Sequence, residues 1–281
     1  MVEFSATYRN RDHALKYDIS ANVSTLKNKV TSLGIGKDSY ISGAYATYVG
    51  QEIGQFYGWV YKGIARTQED LDNNAVQQGA NVGDCLYEDI SGPDGTPDGV
   101  IDAYDQTVLG SGLPKVNFGL STHMEYKGFD LNISTYGVLN YHVSDDIYNS
   151  LNSCYGYGNK EVGMLDANRW SEDGTYLSSV PRTYAANNAT LAWNDLFSSR
   201  KIQNAAYWKI ANVELGYNFP DKWFGGYVSG VRLYVSAQNL YTFTGYHGYN
   251  VDYAGGTFTP GYNFCSFPSA RTFMAGLHFT F

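Results

Sequence analysis

The sequence predicts an all-β protein, an antiparallel transmembrane β-barrel whose strands show one face to lipid and the other to a wet lumen. Three observations predict it. Apolar and polar residues alternate strictly in segment after segment, ending with Phe273, Ala275, Leu277, Phe279 and Phe281 against Thr272, Met274, Gly276, His278 and Thr280. Charged residues are only 16% of the chain, against roughly 25% in soluble domains, while aromatics reach 16% with 26 Tyr. Finally, the connections between segments alternate between short and long.

Nine segments read as strands. Val2–Arg9 sets Val2, Phe4, Ala6 and Tyr8 against Glu3, Ser5, Thr7 and Arg9. The second, near Ala14–Leu26, sets Tyr17, Ile19, Ala21 and Val23 against Asp18, Ser20, Asn22 and Ser24. Two weaker segments lie near Tyr40–Val49 and Phe56–Ile64. Val116–Tyr126 and Phe129–Asn140 form a tight pair, with Phe118, Leu120, Met124, Leu131 and Ile133 in the apolar register. Ala206–Phe219 carries Ala211, Val213, Leu215 and Tyr217, and Val231–Tyr241 carries Leu233 and Val235. The ninth is the C-terminal run. The apolar registers are expected to face outward.

Asn10–His13 and Lys127–Gly128 are tight turns and Pro220–Gly230 is a modest one. Ala65–Lys115, Tyr141–Ala205 and Thr242–Ala270 are long, which is uncommon inside a compact soluble domain. With Phe281 in the periplasm, every short turn falls on that side and every long loop outside, as in outer-membrane barrels. Nine is an odd count, and an open sheet in lipid would leave unsatisfied edges. Further strands are therefore expected upstream, consistent with a start, Met1-Val2-Glu3-Phe4, that has no signal-peptide pattern.

Composition excludes other classes. The net charge of -8 with no Lys/Arg cluster argues against nucleic acid. No apolar run is long enough for a spanning helix, and the mean hydropathy is -0.33. Cys85, Cys154 and Cys265 show no CxxC or zinc spacing, and five scattered His residues form no metal pattern. No GxSxG or similar nucleophile context appears, so no enzyme is expected.

One motif carries metal chemistry. From Asp94 to Asp105 oxygen donors fall at loop positions 1, 3, 5, 9 and 12, with Gly99 at 6. That is the spacing of an EF-hand-type calcium loop. The expected ligands of a structural Ca²⁺ are Asp94, Thr96, Asp98, the Val100 carbonyl, Asp102 and Asp105, with Ile101 anchoring the loop. Thr at position 3 and Asp at 12, where the standard loop has a bidentate Glu, depart from the pattern. The plain alternative is a solvated Gly/Pro/Asp turn. The long loops also crowd aromatics beside amides, a pairing that suits glycan or peptide contacts. Trp170, Trp193, Tyr246 and Tyr249 are the candidate substrate contacts, against the alternative that they pack the loops together.

In order, the chain carries Gly54-Gln55-Phe56-Tyr57-Gly58, Leu113-Pro114-Lys115-Val116-Asn117-Phe118-Gly119-Leu120, Glu125-Tyr126-Lys127-Gly128-Phe129-Asp130-Leu131 and Asn168-Arg169-Trp170-Ser171. Then come Leu215-Gly216-Tyr217-Asn218-Phe219-Pro220, Val231 to Leu240, Thr242 to Tyr246 and the terminal strand. This ordered set resembles the C-terminal part of SusC/RagA-type TonB-dependent outer-membrane transporters. The resemblance covers nearly all of residues 1–281, with 94–105 as an insert in an extracellular loop. It implies the last nine or so strands of a plugged 22-stranded barrel. The plug, the TonB-contacting segment and the earlier strands would lie outside this sequence. It further implies cell outer-membrane location, a SusD-like surface lipoprotein as partner, the TonB complex as energy source and import of glycan or peptide fragments. Two alternatives stand beside it: a complete small barrel acting as adhesin or pore, and a soluble secreted β-sandwich that binds or cleaves glycans.

Overall fold

The computed structural model describes residues 1–154, 159–162, 180–183, 193–224, 228–252, 255–264 and 266–281. Seven long strands form the main sheet: β1 (Val2–Asn10), β2 (Leu15–Thr25), β3 (Val116–Tyr126), β4 (Phe129–Leu139), β5 (Tyr207–Phe219), β6 (Gly230–Thr244) and β7 (Thr272–Thr280). They pair antiparallel in chain order, a simple up-and-down wall with β1 and β7 outermost. Strands of 9 to 15 residues suit a tilted crossing of a bilayer, which takes about 9–11 residues. No helix among the described residues is long and apolar enough to cross a membrane.

Two of the nine expected strands leave this wall. The segments near Tyr40–Val49 and Phe56–Ile64 become short strands of four residues each: Ser39–Ser42, Tyr45–Tyr48, Gln55–Gly58 and Tyr61–Ile64. Four residues reach only about 13 Å at roughly 3.3 Å each, less than half of a hydrocarbon core. The first three join Thr107–Ser111 in a separate four-stranded sheet. The inner strands Tyr45–Tyr48 and Gln55–Gly58 are largely enclosed, with Ala46 and Phe56 fully buried, while Ser39–Ser42 is an exposed edge. Losing two strands together preserves the parity of short and long connections.

The short-turn rim is built locally. β3 and β4 meet at Lys127-Gly128, where both residues take positive φ (48° and 86°). A two-residue type I′ hairpin requires this at both central positions. Residues 11–14 join β1 to β2, and residues 220–229, with a 3₁₀ turn at Asp221–Trp223, join β5 to β6.

The other rim carries the three long connections, 26–115, 140–206 and 245–271, and these hold the apolar cores. One cluster packs Cys85, Tyr87 and Ile101 with Trp59, Tyr61, Trp193 and Leu196. Another packs Val138, Tyr141, Val143, Ala205, Tyr207, Tyr246 and Val251. A small three-stranded sheet, Gln203–Asn204 beside His142–Asp145 beside Tyr262–Asn263, ties the second connection to the third.

The wall itself is inverted relative to a soluble sheet. Leu233 is 43% exposed, Val235 51% and Leu277 58%, while Asp130 and Ser236 on the opposite face are buried. Phe118, Leu131 and Val213 lie half-buried in the same apolar register. A β-sandwich would enclose these residues under a second sheet. Among the described residues no sheet covers them. A bulge at Ala211, opposite the positive-φ residue Asn239, breaks the alternation in β5, while β6 keeps Val235, Ala237, Tyr241 and Phe243 on one face. The bulge turns Trp208 onto the apolar face and Lys209 onto the polar one.

Candidate functional site

Strand pairing turns the polar registers into rows across the wall. Thr7, Ser20, Ser121, Ser134, Asn212, Gln238 and Thr272 align as one row from β1 to β7. The next row toward the short-turn rim is Arg9, Asp18, His123, Asn132, Glu214, Ser236 and Met274. Each strand contributes one side chain per row because the side-chain period is two, and all but Met274 in these two rows are charged or hydrogen-bonding. The face is therefore continuously hydrophilic although no single segment looks especially polar.

Charges on this face are neutralised across strands. Arg232 of β6 donates through Nε to Asp130 Oδ2 at 3.0 Å, through Nη2 to Asp130 Oδ1, and to Glu214 Oε1 at 2.7 Å. Asn218 Nδ2 donates to the same Asp130 at 3.0 Å. The planar guanidinium fork matches a carboxylate with two parallel bonds, which fixes orientation as well as charge. Gly216 lies beneath this cluster, and a Cβ there would collide with Arg232 and Asp130 at 2.5 Å. Nearby, His123 bridges Asn132 (2.7 Å) and Glu125 (2.9 Å). Toward the long-connection rim, Lys209 Nζ donates to Asp252 Oδ2 at 2.5 Å, and the Tyr136 hydroxyl donates to Asp252 Oδ1 at 3.2 Å.

The apolar face carries aromatics at both ends of the strands. Phe129, Tyr217, Phe219 and Trp223 chain together near the short-turn rim, with ring centroids 4.7–5.8 Å apart. Near the other rim Trp208 stacks on Phe243 at 5.3 Å, and Tyr241 meets Phe243 edge-on at 4.7 Å. Leu131, Ile133, Val213, Leu215, Val235 and Ala237 lie between. Tyr217 and Trp208 are nine residues apart along β5, or about 23 Å of height at a 40° tilt, close to the roughly 25 Å apolar band of such barrels.

The candidate substrate residues divide. Tyr246 is buried, its hydroxyl donating to Asp145 and accepting from Asn263 Nδ2 at 2.7 Å. Burial, then the adjacent Asp145 carboxylate, push its pKa upward, so it holds the loops as a neutral phenol. Trp193 donates its indole N–H to the Gln78 carbonyl at 3.1 Å and packs on Tyr87. Both are committed to packing. Tyr249 is 66% exposed and lines a cleft of about 330 Å³ with Lys209, Thr242, Asn250 and Arg271. Trp170 lies outside the described residues.

In the 94–105 loop, Gly99 bends at φ +84° and Ile101 is buried as an anchor. Asp98, Asp102 and Asp105, however, serve the backbone. Asp98 Oδ1 accepts from Val100 N–H at 3.0 Å, and Asp102 Oδ1 accepts from Tyr104 N–H at 2.7 Å. Asp105 is fully buried and accepts from the N–H groups of Ile90, Ser91 and Asp102 at 2.8, 3.1 and 2.8 Å. Asp102 and Asp105 together make a capping box on the 3₁₀ turn Ala103–Asp105. Asp94, Thr96 and Val100 are exposed. Among the described residues no group of three or more His, Cys, Asp or Glu side chains is arranged to hold a metal ion.

Sequence reasoning missed the groups that join distant connections. Arg182 pairs with buried Asp84 through two bonds of 2.6 and 2.8 Å, and Asn194 donates to Asp84 while accepting from Cys85 N–H. Partners about 100 residues apart leave no local signal. The Arg232 cluster was legible in principle, since Asp130, Glu214 and Arg232 all fall in polar registers.

No family model matches the chain. A TonB-dependent receptor of Formosa agariphila is 30% identical over 298 residues, covering 99% of this chain and 28% of that protein. The TonB-dependent receptor SusC of Bacteroides thetaiotaomicron is 25% identical, covering 94% of this chain and 24% of that protein. Among solved structures, the RagAB peptide transporter aligns with a TM-score of 0.76 at 20% identity, over 98% of this chain and 28% of that chain. The RagAB peptide importer in its open-open state gives 0.73 at 21%, over 99% and 28%. The structural likenesses speak for the fold, that of a barrel wall. The chain spans under a third of the length of these relatives. Over nearly its whole length the chain is thus homologous to TonB-dependent receptors, SusC among them.

Proposed function

We propose that this chain is the C-terminal portion of an outer-membrane nutrient importer, acting with a SusD-like surface lipoprotein and energised through TonB. The observation that carries this is the two-faced wall. A continuous polar surface of hydroxyls, amides and paired charges is backed by an exposed apolar surface with aromatics at both ends. Lipid is the medium that such an apolar face fits, and a water-filled passage is what the polar face fits. The open edges of β1 and β7 fit neighbouring strands of a larger closed barrel, of the 22-stranded class that the resemblance implies.

In this reading the three long connections form the outside surface that meets substrate and lipoprotein. Their cross-loop bonds, Asp84 to Arg182 and Asp145 to Tyr246, hold that surface in shape. The relatives are receptors and transporters by name, and the chain supplies passage and recognition rather than catalysis. Substrates are fragments of glycan or peptide.

The test is uptake. The full-length transporter, expressed with its lipoprotein, should co-purify with it from outer membranes and should support growth on oligosaccharides or peptides only when TonB is functional. TonB-independent uptake, or an inner-membrane or soluble location, would overturn the proposal.

A further inference from the structure

We propose that the long-connection rim contains a subsite for a carboxylate-bearing ligand, centred on Arg200. A cleft of about 260 Å³ is lined by Tyr61, Tyr148, Asn149, Asn152, Arg200 and Lys201, together with Val180. It gathers three separate pieces of chain. Tyr61 comes from the strand Tyr61–Ile64, Tyr148 and Asn149 from the helix Asp146–Leu151, and Arg200 and Lys201 from the 3₁₀ turn Ser199–Lys201.

Arg200 is half-buried, yet its guanidinium makes no hydrogen bond or ion pair among the described residues. Lys201, Asn149 and Asn152 beside it are engaged. Lys201 Nζ donates to the Asp195 carbonyl at 2.5 Å and lies 3.9 Å from its carboxylate. Asn149 donates to Ser144 Oγ and the Lys201 carbonyl. Asn152 donates to the Tyr148 carbonyl and to Glu161. One fork of N–H donors is thus presented to the cleft without an acceptor, in a chain whose net charge is -8.

A guanidinium fork matches a carboxylate bidentately, and desolvation of the partly buried head makes an anionic acceptor worth more there than on open surface. Tyr61 and Tyr148 are also half-buried at the cleft, and the second ring is held by stacking on His247 at 5.6 Å and 13°. Flat rings with a polar tip suit the apolar face of a sugar or the stem of an amino acid. The volume is below the roughly 300–1,000 Å³ of drug-sized pockets, so it holds one unit of an oligomer. The shared chemistry is a carboxylate, of a uronic acid or of an acidic residue.

This subsite deepens the import reading and rests on it for its role. Its test measures binding alone, so failure here leaves the uptake result standing. Purified full-length transporter is titrated calorimetrically with two acid–neutral pairs: trigalacturonate with its methyl ester, and triglutamate with triglutamine. The acid of at least one pair should bind at least about tenfold tighter than its neutral partner. The pair that shows the difference identifies the source of the carboxylate. Arg200→Gln should abolish the difference, and Arg200→Lys should keep only part of it, because a point charge lacks the fork. Equal affinity of acid and neutral form in both pairs, or discrimination that survives Arg200→Gln, would overturn the assignment. The acid–neutral comparison needs no variant, so it stands if Arg200→Gln misfolds.

Discussion

Arginine substitutions along β6 provide a depth gauge for the wall. Leu233 pairs with Tyr217, inside the aromatic cluster at the short-turn rim, and Phe243 pairs with Trp208 in the cluster at the other rim. Ala237 lies near the midpoint between these two levels, and Val235 lies between Ala237 and Leu233. The cost of a lipid-facing arginine is about 2–4 kcal/mol at the midplane and falls to about 0–1 kcal/mol near the interface. Ala237→Arg should therefore be the most damaging, Val235→Arg intermediate, and Leu233→Arg mild. Gln238→Arg, one residue away on the polar face, should cost almost nothing. At about 1.4 kcal/mol per tenfold, the range from Leu233 to Ala237 spans roughly one to two orders of magnitude in the folding equilibrium. The assay is reversible urea unfolding of the full-length transporter in lipid vesicles. Equal costs at 233, 235 and 237, or a Gln238→Arg cost matching that of Ala237→Arg, would refute the two-faced wall.

Other expectations follow from the same contacts. Arg232→Met leaves Asp130 and Glu214 facing each other on the polar face and should cost about 1–3 kcal/mol, less than a fully buried pair because Arg232 stays partly wet. Adding Asp130→Asn should recover part of that loss, and an unchanged stability in Arg232→Met would remove the network's role. Asp105→Ala strips the acceptor from three backbone N–H groups, so hydrogen exchange at Ile90, Ser91 and Asp102 should speed up, by about 1–3 kcal/mol of local stability. Calcium at 94–105 is a proposal that requires Asp102 and Asp105 to release their caps; calorimetry should give binding heat that weakens in Asp98→Asn, and no heat in either protein would leave an ordinary turn. Cys85 and Cys154 are fully enclosed, with thiol pKa values pushed up to about 12 by burial, so maleimide at pH 8 should label neither until the loops unfold.

The alternation of Phe129, Leu131 and Ile133 with Asp130, Asn132 and Ser134 was enough to predict a two-faced strand, because a period of two is a property of extended backbone itself. Lys127-Gly128 announced its hairpin for the same local reason, and chain order alone predicted that short and long connections would fall at opposite rims. Tertiary structure decided what depends on partners distant in sequence. Tyr45–Tyr48 and Gln55–Gly58 carry β-forming residues like any wall strand, but their length and their pairing with each other took them into a loop sheet. Asp94 to Asp105 spells a cation loop in spacing, while the directions of the Asp98, Asp102 and Asp105 carboxylates were settled by backbone donors at Val100, Tyr104, Ile90 and Ser91. Tyr246 looked like a surface aromatic until Asp145, 101 residues earlier, was brought against its hydroxyl. Periodicity is written in neighbouring residues and can be read from them. The choice between packing and recognition is made by contacts that only the folded chain assembles.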